Sequence, residues 1–336
     1  AREAARDGIA VTAEAAAIAG ADAALAGTAG DAALAAWLPE GAPILLSDPG
    51  ATGPLLAAAP DLAARAVTVL GLLPQDRGRL VEVIPTEGGD AAAGAVLALL
   101  KRIGRLAVLA RGPVSDPLRA ALWAAADRAV EEGASPPGVD AALAGWGFAE
   151  GPFAMRDRIG LDRALPPPGG SVAERLWLAL MERGRTGAAA GAGFFAWAPD
   201  GHDGAGHRRP QSDETVAALL DGARAAAGNV PRAVGADEIA MTALAALAAT
   251  GARLVAAGAA LRPSDIDVAA VAGLGFPRWR GGPMQAADEA GLLSMRNLLR
   301  DLARGEGPVS GALWEPVALW DELIREGRGF GDLNGG

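Results

Sequence analysis

Gly151-Pro-Phe-Ala-Met-Arg-Asp-Arg-Ile-Gly-Leu161 and Gly282-Pro-Met-Gln-Ala-Ala-Asp-Glu-Ala-Gly-Leu292 are two versions of one segment. Gly-Pro, Asp and Gly-Leu recur in the same order at a constant offset of 131 residues. Upstream, Gly147-Phe148 answers Gly275-Phe276 and Val139-Asp140 answers Ile266-Asp267, at shorter offsets that require small insertions. Proline after glycine opens a helix, because its fixed φ suits the first turn and its missing N–H is not needed there. The pattern predicts one helical unit used twice, with Asp157 and Asp288 setting the helix-to-turn geometry in each. Two such units can bury their apolar faces on each other.

Toward the N-terminus the periodicity changes. Ile9-Ala-Val-Thr12, Ala23-Ala-Leu25, Ile44-Leu-Leu46, Val67-Thr-Val-Leu70, Leu80-Val-Glu-Val-Ile84 and Leu106-Ala-Val-Leu109 read as strands, and Asp90 to Arg102 as a helix between the last two. Alternating strands and helices predict a parallel or mixed sheet covered on both faces. Pro113-Val-Ser-Asp-Pro117 breaks that pattern, and amphipathic helices follow. Pro166 to Gly170 and Ala198 to Pro210, rich in Pro, Gly and Asp, read as linkers. The boundaries expected are therefore residues 1–112 for the sheet domain, 113–199 for the first helical domain and 200–336 for the second.

Composition narrows the function classes. With 336 residues, 51% of them hydrophobic, the chain can bury two or three cores, although much of its apolar count is Ala. A net charge of −10 without a basic run argues against nucleic acid, whose phosphates need clustered Lys and Arg. No Cys is present, so disulfides and thiolate metal sites are excluded. The apolar run Ile239 to Ala252 is shorter than the ~20 residues needed to cross a bilayer, and a cytoplasmic protein without a membrane span is expected. The eight Trp residues serve as packing markers.

With these residues in place, a family resemblance becomes visible. Gly275-Phe-Pro-Arg-Trp-Arg-Gly-Gly-Pro-Met284, Ser264-Asp-Ile-Asp267, Trp314-Glu-Pro316 and Gly327-Arg-Gly-Phe330 resemble the C-terminal part of the multifunctional fatty-acid β-oxidation proteins. Glu131 to Phe153, Asp157 to Asp162, and Gly184-Arg-Thr-Gly187 with Gly191-Ala-Gly-Phe-Phe195 resemble the first helical domain of their 3-hydroxyacyl-CoA dehydrogenase region. Single-function dehydrogenases of that family carry one helical unit, so the duplication points to the multifunctional branch. The resemblance implies an α/β plus all-α fold: an incomplete Rossmann-like parallel-sheet domain followed by two repeated helical domains of the dehydrogenase C-terminal type.

The family's reaction moves a hydride from C3 of a 3-hydroxyacyl-CoA onto NAD, with a His as general base that a Glu holds in position. Residue by residue, the resemblance places the Glu at Glu82 and the His twelve residues earlier, at Leu70, whose side chain cannot accept a proton. The Asn near the thioester falls at Asp116. The Ser-Asn-Thr-Ser run near substrate becomes Ser47-Asp-Pro-Gly50, and a Gln-Lys pair becomes Ala188-Ala189. The Glu and Lys expected near Ala24 are absent, and Gly27-Thr-Ala-Gly-Asp31 opens a helix there. No Gly-x-Gly-x-x-Gly follows a strand, so an NAD site is implied by the resemblance alone. Candidate residues are thus Glu82 for a retained catalytic position, and Ser47 and Asp116 for substrate contact.

Each candidate also has a structural reading. Glu82 could pair structurally within its strand, and Asp116 before Pro117 could be a helix N-cap. His202 and His207 lie in a glycine-rich linker with one nearby carboxylate, Asp203, too few ligands for tetrahedral zinc. Arg278-Trp279-Arg280 reads either as a phosphate or CoA patch or, preferably, as a packing turn with Trp279 buried and the arginines tied to carboxylates. Three functions stay open. One is a catalytically silent dehydrogenase-like scaffold for an enoyl-CoA hydratase module or partner. The second is an active NAD-dependent dehydrogenase completed by a further segment, and the third an acyl-CoA binder.

Overall fold

A computed structural model describes residues 19–26, 37–47, 49–71, 80–197, 210–305 and 311–335. The expected strand at Ile9 to Thr12, the turn from Gly27 to Asp31, the body of the 198–210 linker and both histidines lie outside the described residues. Two compact units divide the chain, Ala1–Pro113 and Val114–Gly336. The break falls in the Pro-rich run that ends the strand pattern.

The first unit is built on a five-stranded sheet in sequential order: β1 (Ala24–Ala26), β2 (Ile44–Leu46), β3 (Ala66–Leu70), β4 (Leu80–Pro85) and β5 (Leu106–Leu109). β1, β2 and β3 run parallel, as do β4 and β5, but β3 and β4 are antiparallel. The sheet is mixed rather than all-parallel for a simple reason. The nine residues from Gly71 to Arg79 are too few for a crossover, which takes a dozen or more.

Both faces are covered, as strands buried on both sides require. Leu45, Val67, Val69, Val81 and Val83 pack against Ala92, Ala93, Val96 and Leu100 of α2 (Asp90–Arg102). On the other face, Ile44, Leu46 and Ala66 pack with Leu62, and with Leu56 of α1 (Pro49–Ala58).

Among the described residues the second unit is built on helices: α3 (Ser115–Glu132), α4 (Pro136–Trp146), α5 (Pro152–Ile159), α6 (Val172–Glu182), α7 (Glu214–Ala227), α8 (Ala236–Ala256), α9 (Pro263–Gly273), α10 (Pro283–Ala290), α11 (Leu292–Arg304) and α12 (Ala318–Glu326). α5 and α10 are the two helices opened by the repeated Gly-Pro. α8 is long and apolar enough by composition to cross a membrane, yet it is the central helix of this unit. It packs on α3 and α4 from the first repeat and on α9, α10 and α11 from the second. Its small side chains permit that crowding. At Gly251 a Cβ would overlap Met284 and stand 2.9 Å from Cγ2 of Ile266.

Candidate functional site

Leu70 and Glu82 are register partners across the antiparallel β3–β4 pair. Partners in such a pair share a face, with Cα atoms ~4.5–5.5 Å apart. The position where the resemblance expects a proton acceptor therefore stands beside the position where it expects the orienting carboxylate. Val81 and Val83 point into the opposite core, which puts Glu82 on the face of Thr68 and Leu70. Glu82 is 2% exposed, while Leu70 is half-buried. Thr68 is held by Thr52 of α1, hydroxyl to hydroxyl at 3.0 Å.

Ser47 follows β2 at the carboxyl end of the parallel strands, the edge where open α/β sheets place ligands. Its N–H donates to Ala26 O at 3.2 Å, and its hydroxyl reaches the same carbonyl at 3.5 Å. Leu70 also lies at the carboxyl end of its strand, so the sheet brings Ser47, Leu70 and Glu82 into one region. In chemical terms the face offers the Glu82 carboxylate beside an aliphatic side chain, while the Ser47 hydroxyl is turned to Ala26 O. Leu70 supplies neither a base nor a hydrogen-bond acceptor. Among the described residues, no three His, Asp or Glu side chains gather as a metal site.

Asp116 belongs to the other compact unit, and its N-cap reading is corrected. α3 starts at Ser115, with Val114 as the capping residue, so Asp116 is the second helical residue and Pro117 the third. Proline is tolerated there because the first turn's N–H groups have no intrahelical acceptor. The Asp116 carboxylate pairs with Arg119 one turn on. Ala188 and Ala189, at the Gln-Lys position, form a short 3-10 turn.

The carboxylates of the helical unit are its best-defined polar features, and they come in matched pairs. Asp140 accepts from the amides of Phe153 (3.0 Å) and Ala154 (2.8 Å) at the start of α5. Asp267 accepts from the Met284 amide at 2.7 Å at the start of α10. Asp157 takes the amides of Phe194 (2.9 Å) and Phe195 (3.0 Å) and the Trp197 indole N–H (2.8 Å). Asp288 takes those of Phe330 and Gly331, both at 2.8 Å. Burial pushes Asp140 and Asp267 up to about 7 and Asp157 up to about 6, against the opposing pull of these hydrogen bonds.

The expectation for Asp157 and Asp288 thus holds with a specific meaning: each ties its Gly-Pro helix to a closing glycine turn. A signal for that partner was present in the chain but was not matched. Gly191-Ala-Gly-Phe194 and Gly327-Arg-Gly-Phe330 are a further repeat, and a Cβ on Gly193 or Gly329 would collide with the Asp157 or Asp288 carboxylate.

Arg156 was also missed. It forms a two-pronged ion pair with Asp127 of α3 (2.5 and 2.7 Å), fully buried among Trp123, Phe153 and Trp177. Its repeat counterpart is Ala287, so no motif marked it.

The turn at Arg278–Arg280 corrects another expectation. Trp279 is 71% exposed rather than buried, and Arg280 lies between indole rings instead of on a carboxylate. Trp279 falls within the three residues by which the second repeat exceeds the first.

Comparison with known proteins gives the class first. Residues 114–197 match the family described as 3-hydroxyacyl-CoA dehydrogenase, C-terminal domain. The chain is thereby similar, over its first helical segment, to 3-hydroxyacyl-CoA dehydrogenases, and over most of its length to proteins of fatty-acid β-oxidation. Among particular relatives, the peroxisomal bifunctional enzyme of Danio rerio is 32% identical over 238 residues, which is 64% of this chain and 32% of that protein. The fatty acid oxidation complex subunit alpha of Shewanella amazonensis is 28% identical over 283 residues, 80% of this chain and 38% of that protein. The chain spans about a third of the length of the curated relatives it matches.

Solved structures agree on the fold. The dehydrogenase part of multifunctional enzyme 1 from C. elegans superimposes with a TM-score of 0.63 at 18% identity, covering 93% of this chain and 70% of that one. The 3-hydroxybutyryl-CoA dehydrogenase of Escherichia coli gives 0.65 at 17%, covering 94% and 84%. The α/β plus helical architecture expected from the sequence is the one found.

Proposed function

We propose that this chain is a 3-hydroxyacyl-CoA dehydrogenase-like module of fatty-acid β-oxidation that performs no hydride transfer itself and acts as a scaffold for an enoyl-CoA hydratase module or partner in a soluble compartment. The observation that carries the reading is the pairing of Leu70 with Glu82. The carbon bearing the hydroxyl can give its hydride to a nicotinamide only as the hydroxyl proton leaves to a base, and an isobutyl group takes no proton. Glu82 is buried in the sheet, and its register partner is an aliphatic side chain. The helical half, by contrast, keeps its matched carboxylates and closing turns in both copies, as a packing role requires.

The test has two arms. Acetoacetyl-CoA and NADH are incubated with the chain and with the longest gene product that contains it. No loss of NADH absorbance is expected from either, and turnover by either one overturns the silent-module reading. In the second arm, hydratase activity and thermal stability are compared with and without this chain. An unchanged hydratase removes the scaffold role.

A further inference from the structure

The second repeat contains residues that the first lacks. Two residues separate Phe148 from Gly151, whereas five separate Phe276 from Gly282. Both turns nevertheless pack in the same way: Gly147 lies against Pro277 and Gly275 against Ala149, matched positions in exchanged roles. The insertion Arg278-Trp279-Arg280 is therefore not needed to build the turn.

Its side chains are arranged for something else. The Arg280 guanidinium carbon is 3.9 Å from the centre of the Trp146 ring and 4.0 Å from that of Trp279, so the group lies flat between two indoles. Its Nε donates to Trp146 O at 3.4 Å, and among the described residues its terminal nitrogens have no acceptor. Arg278 beside it is exposed. Neither arginine has a carboxylate in ion-pair reach among the described residues, a state they share with Arg175 and Arg183 of the same unit, but only here do two such cations flank an exposed indole. Two uncompensated cations and an open indole thus share one patch of a chain whose net charge is −10.

We propose that Arg280, clamped between Trp146 and Trp279 with Arg278 alongside, is the docking point for an acidic segment of another polypeptide. A stacked guanidinium is already immobilised, so it loses little entropy when its free edge takes a carboxylate in two-pronged fashion. Trp and Arg are the residue types that carry most interface energy. A small metabolite needs a concave pocket that buries most of its surface, whereas Trp279 is 71% exposed. Charge complementarity favours an acidic partner surface, and salt would screen that attraction. The inference goes beyond the scaffold reading and does not depend on it, since nothing in the patch specifies a hydratase.

The full chain is panned against a random dodecapeptide library, with counter-selection on Arg280→Gln, and the selected peptides are titrated by calorimetry and tryptophan fluorescence. Trp279→Ala and Arg278→Gln serve as second variants, and circular dichroism checks that each variant is folded. Selected peptides are expected to carry two or more Asp or Glu, to bind the native chain at least ~tenfold tighter than Arg280→Gln, and to weaken in ~0.5 M salt. The proposal is overturned if no peptide distinguishes native from Arg280→Gln, if the discriminating peptides are not acidic, or if ADP displaces them.

Discussion

Phe148 and Phe276, at matching positions of the two repeats, meet edge to face with ring centroids 5.3 Å apart. Trp146 joins both rings, and the Ala149 amide donates to Gly275 O at 2.9 Å across the junction. The repeated turn is thus also the contact between the copies. Truncating either Phe to Ala removes a buried ring, which costs ~3–5 kcal/mol in tightly packed cores. Because the rings share one contact, the double variant should lose less than the two single losses added together. Urea unfolding of the three variants measures this; strict additivity would mean the rings do not support each other.

Asp157 and Asp288 do the same work in different surroundings. Asp157 accepts three hydrogen bonds and is fully buried, while Asp288 accepts two near the surface. A buried donor left without its acceptor costs ~1–3 kcal/mol. Asp157→Ala should therefore destabilise by about 3 kcal/mol or more, and Asp288→Ala by clearly less. Trp197→Phe removes one of the three bonds and should fall between native and Asp157→Ala.

The raised carboxyls set a pH dependence. Asp140 and Asp267 near 7 and Asp157 near 6 hold protons in the folded state that the unfolded chain has already released above ~4. Folding is then favoured by protonation. Their contribution is full below about pH 4 and is lost as pH rises through 6 to 7. The urea midpoint should increase from pH 8 to pH 5.5, with a slope of up to ~1.4 kcal/mol per pH unit for each proton bound. Asp140→Asn should flatten the profile; a slope that the variant leaves unchanged would point to other groups.

Leu70→His restores an imidazole opposite Glu82. A carboxylate neighbour favours imidazolium, so the new His should titrate above the ordinary ~6.5. Glu82→Gln in the same background should bring it down. Proton NMR of the imidazole reports both values, and equal values in the two proteins would show that the side chains do not interact.

Local features of the chain were legible before any coordinates. The Gly-Pro helix starts, the strands near residues 44, 67, 80 and 106, and the helix from Asp90 to Arg102 depend on nearest neighbours and on periodicity. Period-2 and period-3.6 burial writes those into composition directly. Arg156 with Asp127 was not legible, since a buried ion pair between helices leaves no mark in either segment. The exposure of Trp279 was likewise hidden, because it lies in the three residues that the first repeat lacks and so has no counterpart to be read against.

What the amino-acid order determined by itself was an inventory: a duplicated helical unit and a preceding run of strands, with a leucine where the family resemblance places a proton acceptor. Tertiary structure alone decided the meetings. Leu70 and Glu82 are twelve residues apart in the chain, and only the antiparallel register of β3 on β4 makes them neighbours. Asp157 finds Phe194, and Phe148 finds Phe276, in the same way. The physical reason is that local steric preferences act over a few residues, whereas contact between distant segments is settled by which apolar faces bury together.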